Sequence, residues 1–412
     1  MTAAAKPAAP AWPERLERLA GHALTGVAVA LPWSPSVTSI LLVAWLVLSL
    51  PALTLARDDA ARVMRMPAAL LPVALFALAA AGTLWADVSW AERWHGLESF
   101  LRLLVLPLLM MQGLRSGAGR AVVRTLVASC TVLLAASFIH APLFGTPWLP
   151  GRMPGVPVND YIVQSTLFAV CAFVLLEQGL ARWTQARRIL AAALWALAAA
   201  FILNILMVAT GRTTLVALAV LVPLLALRRS NWRVSLAVVA LAAGAAMAAY
   251  AASPHLRARV ATVQDEVVRY LRGGELTSAG YRLGFWAASL DAVRAAPLLG
   301  HGTGAIAQAL GEAVRRQGLP ADLVTPNPHN QVLTVAIQLG GIGAVLLVAM
   351  WVSHLMLFWR GGEAAWAGLV VTATGIVGAM FNSMLFDFTP GWLYILLVGT
   401  MAGLVARQKS AG

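Results

Sequence analysis

The sequence is mostly apolar, and a small set of polar side chains in it could do chemistry. They are His329, Arg282 and Arg212, followed by Asn330, Asp387, Arg152 and His301. A histidine near neutral pH can take a proton from an attacking hydroxyl. An arginine is always charged and presents paired planar donors that match phosphate oxygens. Together they suit a transfer reaction in which a hydroxyl attacks and a diphosphate leaves, its charge held by fixed guanidinium groups. His329 stands in Thr325-Pro326-Asn327-Pro328-His329-Asn330, where a long polar stretch gives way to an apolar run that continues to Trp359. The residues before the two prolines favour extended backbone, so a helix is expected to begin near Asn330. The N-terminus of that helix disfavours an imidazolium and keeps the ring available as a base.

Each candidate has a plainer reading. A lone arginine at a helix end usually snorkels to headgroups, and this weighs at least equally for Arg152 and Arg102. Arg212 lies in the tight turn Thr210-Gly211-Arg212-Thr213, which leaves it little freedom to snorkel. Asp387, between Phe386 and Phe388, could cap a helix or pair with an arginine. His301 sits in the glycine-rich run Gly300-His301-Gly302-Thr303-Gly304, which lacks the Lys-Ser/Thr of a phosphate-binding loop. The sequence has no Asp-x-Asp motif, so a metal-bound nucleotide-sugar site of the usual kind is not indicated. Pro32-Trp33-Ser34-Pro35-Ser36 has no acid, which counts against many-spanning glycosyltransferases that use a carboxylate in their first outer loop.

The elements that must position these groups are membrane helices. The 412 residues are 60% hydrophobic and 11% charged, against about 25% charged in soluble domains. Such a chain requires lipid as its solvent. The net charge of +13 falls in short clusters between apolar runs, the pattern of membrane orientation and not of nucleic-acid binding. Cys130 and Cys171 lie inside apolar runs and imply neither a disulfide framework nor a metal site. The expected fold is all-α and polytopic. Twelve spans are expected, near 19–33, 36–56, 67–86, 97–114, 121–141, 160–181, 189–210, 214–227, 234–253, 331–358, 365–384 and 390–406. The first is read as an uncleaved helix.

Basic clusters follow the even-numbered spans: Arg57, Arg62 and Arg65; Arg115, Arg120 and Arg124; Arg182, Arg187 and Arg188; Arg228, Arg229 and Arg233; Arg360; Arg407 and Lys409. The positive-inside rule places this side, with both termini, in the cytoplasm. The polar candidates fall on the opposite side, periplasmic in a Gram-negative cell. The chain divides into residues 1–253 (spans one to nine), a large outer loop at 254–330, and residues 331–412 (spans ten to twelve). Within the loop, helices are expected at 256–271, 281–296 and 305–317, with Leu283, Trp286, Leu290 and Val293 forming the apolar face of the second.

Several of these pieces resemble the O-antigen ligase and polymerase superfamily. They are Thr210-Gly211-Arg212; Arg282 through Trp286 leading to Pro297-Leu298-Leu299-Gly300-His301-Gly302; and Pro328-His329-Asn330 with Leu333 and Gln338-Leu339-Gly340-Gly341-Ile342-Gly343. The resemblance implies a lipopolysaccharide O-antigen ligase of the inner membrane. Such an enzyme moves a polysaccharide from undecaprenyl diphosphate to a sugar hydroxyl of lipid A–core, with inversion, without ATP and without a metal or other cofactor. By this resemblance Arg212 and Arg282 bind the diphosphate and His329 activates the acceptor, while Asn330 and Asp387 help to position substrate. An O-antigen polymerase or a protein O-oligosaccharyltransferase would use the same chemistry. A transporter or flippase is the alternative from another class; it would show two related halves and charged or broken helices at mid-membrane.

Overall fold

Apolar runs in lipid must close their own backbone hydrogen bonds, and this chain does so in helices. A computed structural model describes residues 12–141, 153–229, 232–252 and 278–411. The expected helix at 256–271 and the candidate Arg152 lie outside the described residues. The described helices are α1 (Trp12–Ala30), α2 (Pro35–Leu55), α3 (Arg57–Met64), α4 (Pro67–Gly82), α5 (Trp90–Ser116), α6 (Gly119–Ile139), α7 (Tyr161–Thr184) and α8 (Arg188–Met207). They continue as α9 (Arg212–Arg229), α10 (Trp232–Ala252), α11 (Ser278–Ala295), α12 (Ile306–Gln317), α13 (Gln331–Phe358), α14 (Glu363–Ala379) and α15 (Phe388–Ala411). Local chemistry sets their ends. Ser89 and Glu92 form a capping box at the start of α5, and Gly117 closes that helix in the left-handed region at φ 65°.

Each of the twelve expected apolar runs falls on a helix. Among the described residues, α5, α6, α7, α8, α13 and α15 are long and apolar enough to cross a membrane; α3 and α4, bent by 81°, add a seventh if they form one span. α14 and the apolar stretches of α2 and α10 are shorter. This is a multi-pass membrane protein. α7 and α15 form its centre, with 78% and 83% of their spans buried, while α8 lies outside at 28%. α15 meets α5 without intervening side chains. A Cβ at Gly403 would strike the Met110 carbonyl, and one at Gly113 would strike the Thr400 carbonyl, so only glycine permits this approach.

α13 is broken near its start. Gly340 has φ 63° and ψ −162° and interrupts the helix. The break strips helical partners from the Ile337 and Gln338 carbonyls and from the Gly341 and Ile342 amides. The connector after α11 replaces all four. His301 and Gly302 amides donate to Ile337 and Gln338 (2.9 Å each), and Gly341 and Ile342 amides donate to the Pro297 and Leu298 carbonyls (2.8 and 3.4 Å). The Gly-rich run and the Gly340-Gly341 pair are thus two sides of one splice. Thr303 locks it to α4 by donating its hydroxyl to the Ala79 carbonyl at 2.6 Å and its amide to Gly82 at 3.1 Å.

α11 and α12 roof the first segment of α13 through a second apolar cluster that includes Ala288, Ala292, Leu310, Val314 and Ile337. The face expected for α11 is covered only in part, with Val293 packed against this cluster. Gly284, Ala288, Ser289 and Ala292 are buried, whereas Leu283, Trp286 and Val293 are only partly covered and Leu290 is 47% exposed. Close helix packing selects small residues, and in a membrane protein large apolar ones can face outward. Leu298 and Leu299, in the connector, are exposed as well.

Candidate active site

Residues 325–330 are held by side chains of their own segment and of the turn after α14. Asn327 accepts the His329 amide at 2.9 Å and the Ser383 hydroxyl at 2.8 Å on Oδ1. Asn330 caps α13 by accepting the Val332 and Leu333 amides at 3.0 and 3.1 Å, and its own amide donates to the Met380 carbonyl at 3.1 Å. Between them His329 is forced to φ 54°, a left-handed conformation that L-residues other than glycine rarely adopt. Strain of this kind costs about 1–3 kcal/mol and persists only where neighbours over-determine it.

The imidazole is half-buried, and its Nδ1 lies 2.9 Å from Asn382 Oδ1. Asn382 Nδ2 donates to Asp387 Oδ2 at 2.8 Å. That bond fixes the amide, so the atom facing His329 is an acceptor. Nδ1 therefore carries the proton and Nε2 presents its lone pair. Asp387 is held in turn by Arg102, whose Nη1 donates to the Leu385 and Asp387 carbonyls at 3.0 and 2.6 Å. Burial pushes the Asp387 carboxyl above the usual carboxylate range, while the charge of Arg102 pulls it back.

On its other side the His329 ring lies 5.8 Å from the Phe285 ring, centroid to centroid. Phe285 is on α11 three residues after Arg282, and i and i+3 positions share a helix face. Arg282 therefore stands one turn from the ring that packs on His329. It is half-buried and makes no hydrogen bond or ion pair with any described residue. Arg212 opens α9 at the same end of the bundle. There the Ser165 and Thr214 hydroxyls meet at 2.8 Å, and a Cβ on Gly211 would meet the Ser165 hydroxyl oxygen. Arg212 is exposed and bonds no described residue, His329 included.

Of the sequence candidates, then, His329, Asn330 and Asp387 interlock, Arg282 is adjacent and Arg212 stands apart. His301 is a fastener of the splice: its Nε2 lies 2.9 Å from the Ala292 carbonyl. Sequence reasoning missed Asn382, Asn327 and Phe285. Their only signals were polar pairs inside apolar or proline-bounded runs.

Residues 197–348 match the model of the O-antigen ligase family. Over this interval the chain is similar to the O-antigen ligase family. This interval runs from α8 to beyond the Gly340 break and includes Arg212, Arg282 and His329. Arg102, Asn382 and Asp387 come from outside it, so the site is completed by α5 and by the turn before α15. No curated protein sequence matches the chain.

A cleft of about 540 Å³ opens beside this arrangement, between the start of α5, the loop entering α12, Asn327 and the Ser383–Asp387 turn. The site thus holds an imidazole with Nδ1 beside Asn382, a guanidinium without a described partner one helical turn from the ring that packs on His329, and space for a ligand. Those are the parts a glycosyl transfer needs.

Proposed function

We propose that the protein is a lipopolysaccharide O-antigen ligase. Its donor is O-antigen polysaccharide on undecaprenyl diphosphate, and its acceptor is a sugar hydroxyl of lipid A–core. The observation that carries this reading is His329, held through Nδ1 by Asn382 so that Nε2 is free, inside the interval similar to the O-antigen ligase family. Nε2 takes the acceptor proton as the hydroxyl oxygen bonds to the anomeric carbon. The bond from that carbon to the phosphate oxygen breaks on the opposite face, which inverts the configuration. The diphosphate leaves with its charge met by Arg282 and Arg212.

In this reading the chain has twelve spans in the inner membrane. Residues 1–253 and 331–412 carry the spans and both cytoplasmic termini, while the 254–330 loop and the site face the periplasm. The roof of α11 and α12 helps to exclude water, which would otherwise hydrolyse the donor. Reconstitution of the purified protein in vesicles with lipid-linked donor and either lipid A–core or a second lipid-linked glycan tests the assignment. Glycan joined to lipid A–core is the expected product. Lengthened lipid-linked glycan instead would make the protein a polymerase, and no transfer to either acceptor would favour a transporter.

A further inference from the structure

We propose that the cleft beside His329 is a glycan subsite that holds the hydroxyl-rich acceptor and excludes the diphosphate, an inference that rests on the transfer reading above. The cleft's volume, about 540 Å³, lies within the roughly 300–1,000 Å³ of small-ligand sites. Its lining includes the carboxylates of Glu92 and Asp387 and the imidazole of His95, and no lysine or arginine. Such a wall attracts hydroxyl donors and repels a phosphate brought to contact distance. The two arginines suited to the leaving group, Arg212 and Arg282, are absent from the lining.

The bonding state of the lining points the same way. Glu92 spends Oε2 on the Ser89 amide and hydroxyl, at 2.9 and 2.6 Å, and keeps Oε1. Asp387 spends Oδ2 on Asn382 and keeps Oδ1. Asn327 spends Oδ1 on His329 and Ser383 and keeps the Nδ2 donor. Free acceptors and a free donor on one wall match sugar hydroxyls, each of which both donates and accepts. Phe386 supplies an apolar wall for the carbon face of a ring. Asn327 and Asp387 are each one hydrogen bond from the His329–Asn382 pair, at 2.9 and 2.8 Å. His329 itself does not line the cleft, so a sugar there is linked to it through Asn327 and Asp387. An inverting displacement keeps nucleophile and leaving group on opposite faces of the anomeric carbon, as does the separation of carboxylates from arginines here.

Ala307→Trp and Ala91→Trp fill the cleft from two sides, and neither position is bonded to the His329–Asn382–Asp387 chain. The probe is the free oligosaccharide cleaved from lipid A–core, with its binding to the purified full chain read by titration calorimetry. Wild type is expected to bind it, both tryptophan variants to weaken it by about tenfold or more, and inorganic pyrophosphate to leave it in place. In the transfer assay the acceptor KM rises by a similar factor while the donor KM stays constant. Unchanged oligosaccharide binding in both variants, or its displacement by pyrophosphate, overturns the subsite. Binding that follows the expected pattern in a protein that transfers no glycan overturns the ligase reading and leaves the subsite standing.

Discussion

At the end of the bundle where the helices α5, α7, α9 and α15 finish, arginines are consumed by the fold. Arg229 grips the buried Glu177 through two bonds of 2.7 and 2.6 Å, and Arg115 bonds both Glu17 and Asp59 at 3.2 Å. Arg182 pairs with Glu363 at 3.4 Å, and Arg228 donates to the carbonyls that end α13 and begin the next turn. At the opposite end, where these helices begin, Arg282 and Arg212 bond no described residue. Others there are spent: Arg102 on the turn that carries Asp387, Arg93 on the Val88 and Thr83 carbonyls, and Arg316 on Asp291. A guanidinium satisfied by its own protein holds helices together. One left unsatisfied, half-buried and one turn from the ring that packs on His329 is, in the proposed reading, the group that meets the leaving diphosphate.

Substitutions at the two ends should therefore separate activity from stability. Arg282→Ala is expected to lower transfer by about 10²–10³-fold, the usual cost of removing one donor to a developing charge, with normal accumulation in the membrane. Arg282→Lys should recover little, because an ammonium lacks the paired planar donors. Arg229→Ala should do the reverse. It strands a buried carboxylate at a cost of about 3 kcal/mol, so the thermal midpoint drops while turnover per folded molecule is kept. Equal effects of the two alanine variants on turnover would erase the distinction.

Smaller changes sharpen the site end. Asn382→Ala frees the imidazole to rotate and is expected to lower kcat by about tenfold to a hundredfold with the donor KM unchanged. A matching rise in KM would make Asn382 a binding residue instead. Asp387→Asn is the mildest change in stability. Burial raises the Asp387 carboxyl, so the folded state holds that proton more tightly than the unfolded chain. Wild-type stability should then rise as pH falls from neutrality towards the ordinary carboxylate range, and the asparagine variant should lose that dependence. Thermal melts across this range decide it, since a parallel pH dependence in both proteins removes Asp387 as its source.

Much of this arrangement was legible before the coordinates. Apolar run length marked every helix that carries an expected span, and the prolines at 326 and 328 marked the start of α13. Arg282 and His329 are legible from their chemistry, and His329 packs on Phe285, three residues after Arg282. The rest depends on contacts that leave no local trace. Asn382 lies 53 residues from His329, and no spacing rule links a turn residue to a histidine at that distance. The Gly-rich run and Gly340 read as two motifs, because only the broken helix shows that each supplies the other's missing hydrogen bonds. On α11 the closest packing falls on small residues such as Ala288 and Ala292, which a rule from water, where large apolar residues go inside, does not mark.

The measurement closest to the central claim is the initial rate of glycan transfer from lipid-linked diphosphate to lipid A–core in vesicles, for wild type against His329→Ala, each normalised to folded protein. If Nε2 of His329 is the proton acceptor, the variant loses about 10²–10⁴-fold while still binding donor and acceptor. A His329→Ala protein that transfers at the wild-type rate would contradict the assignment of His329 as the base.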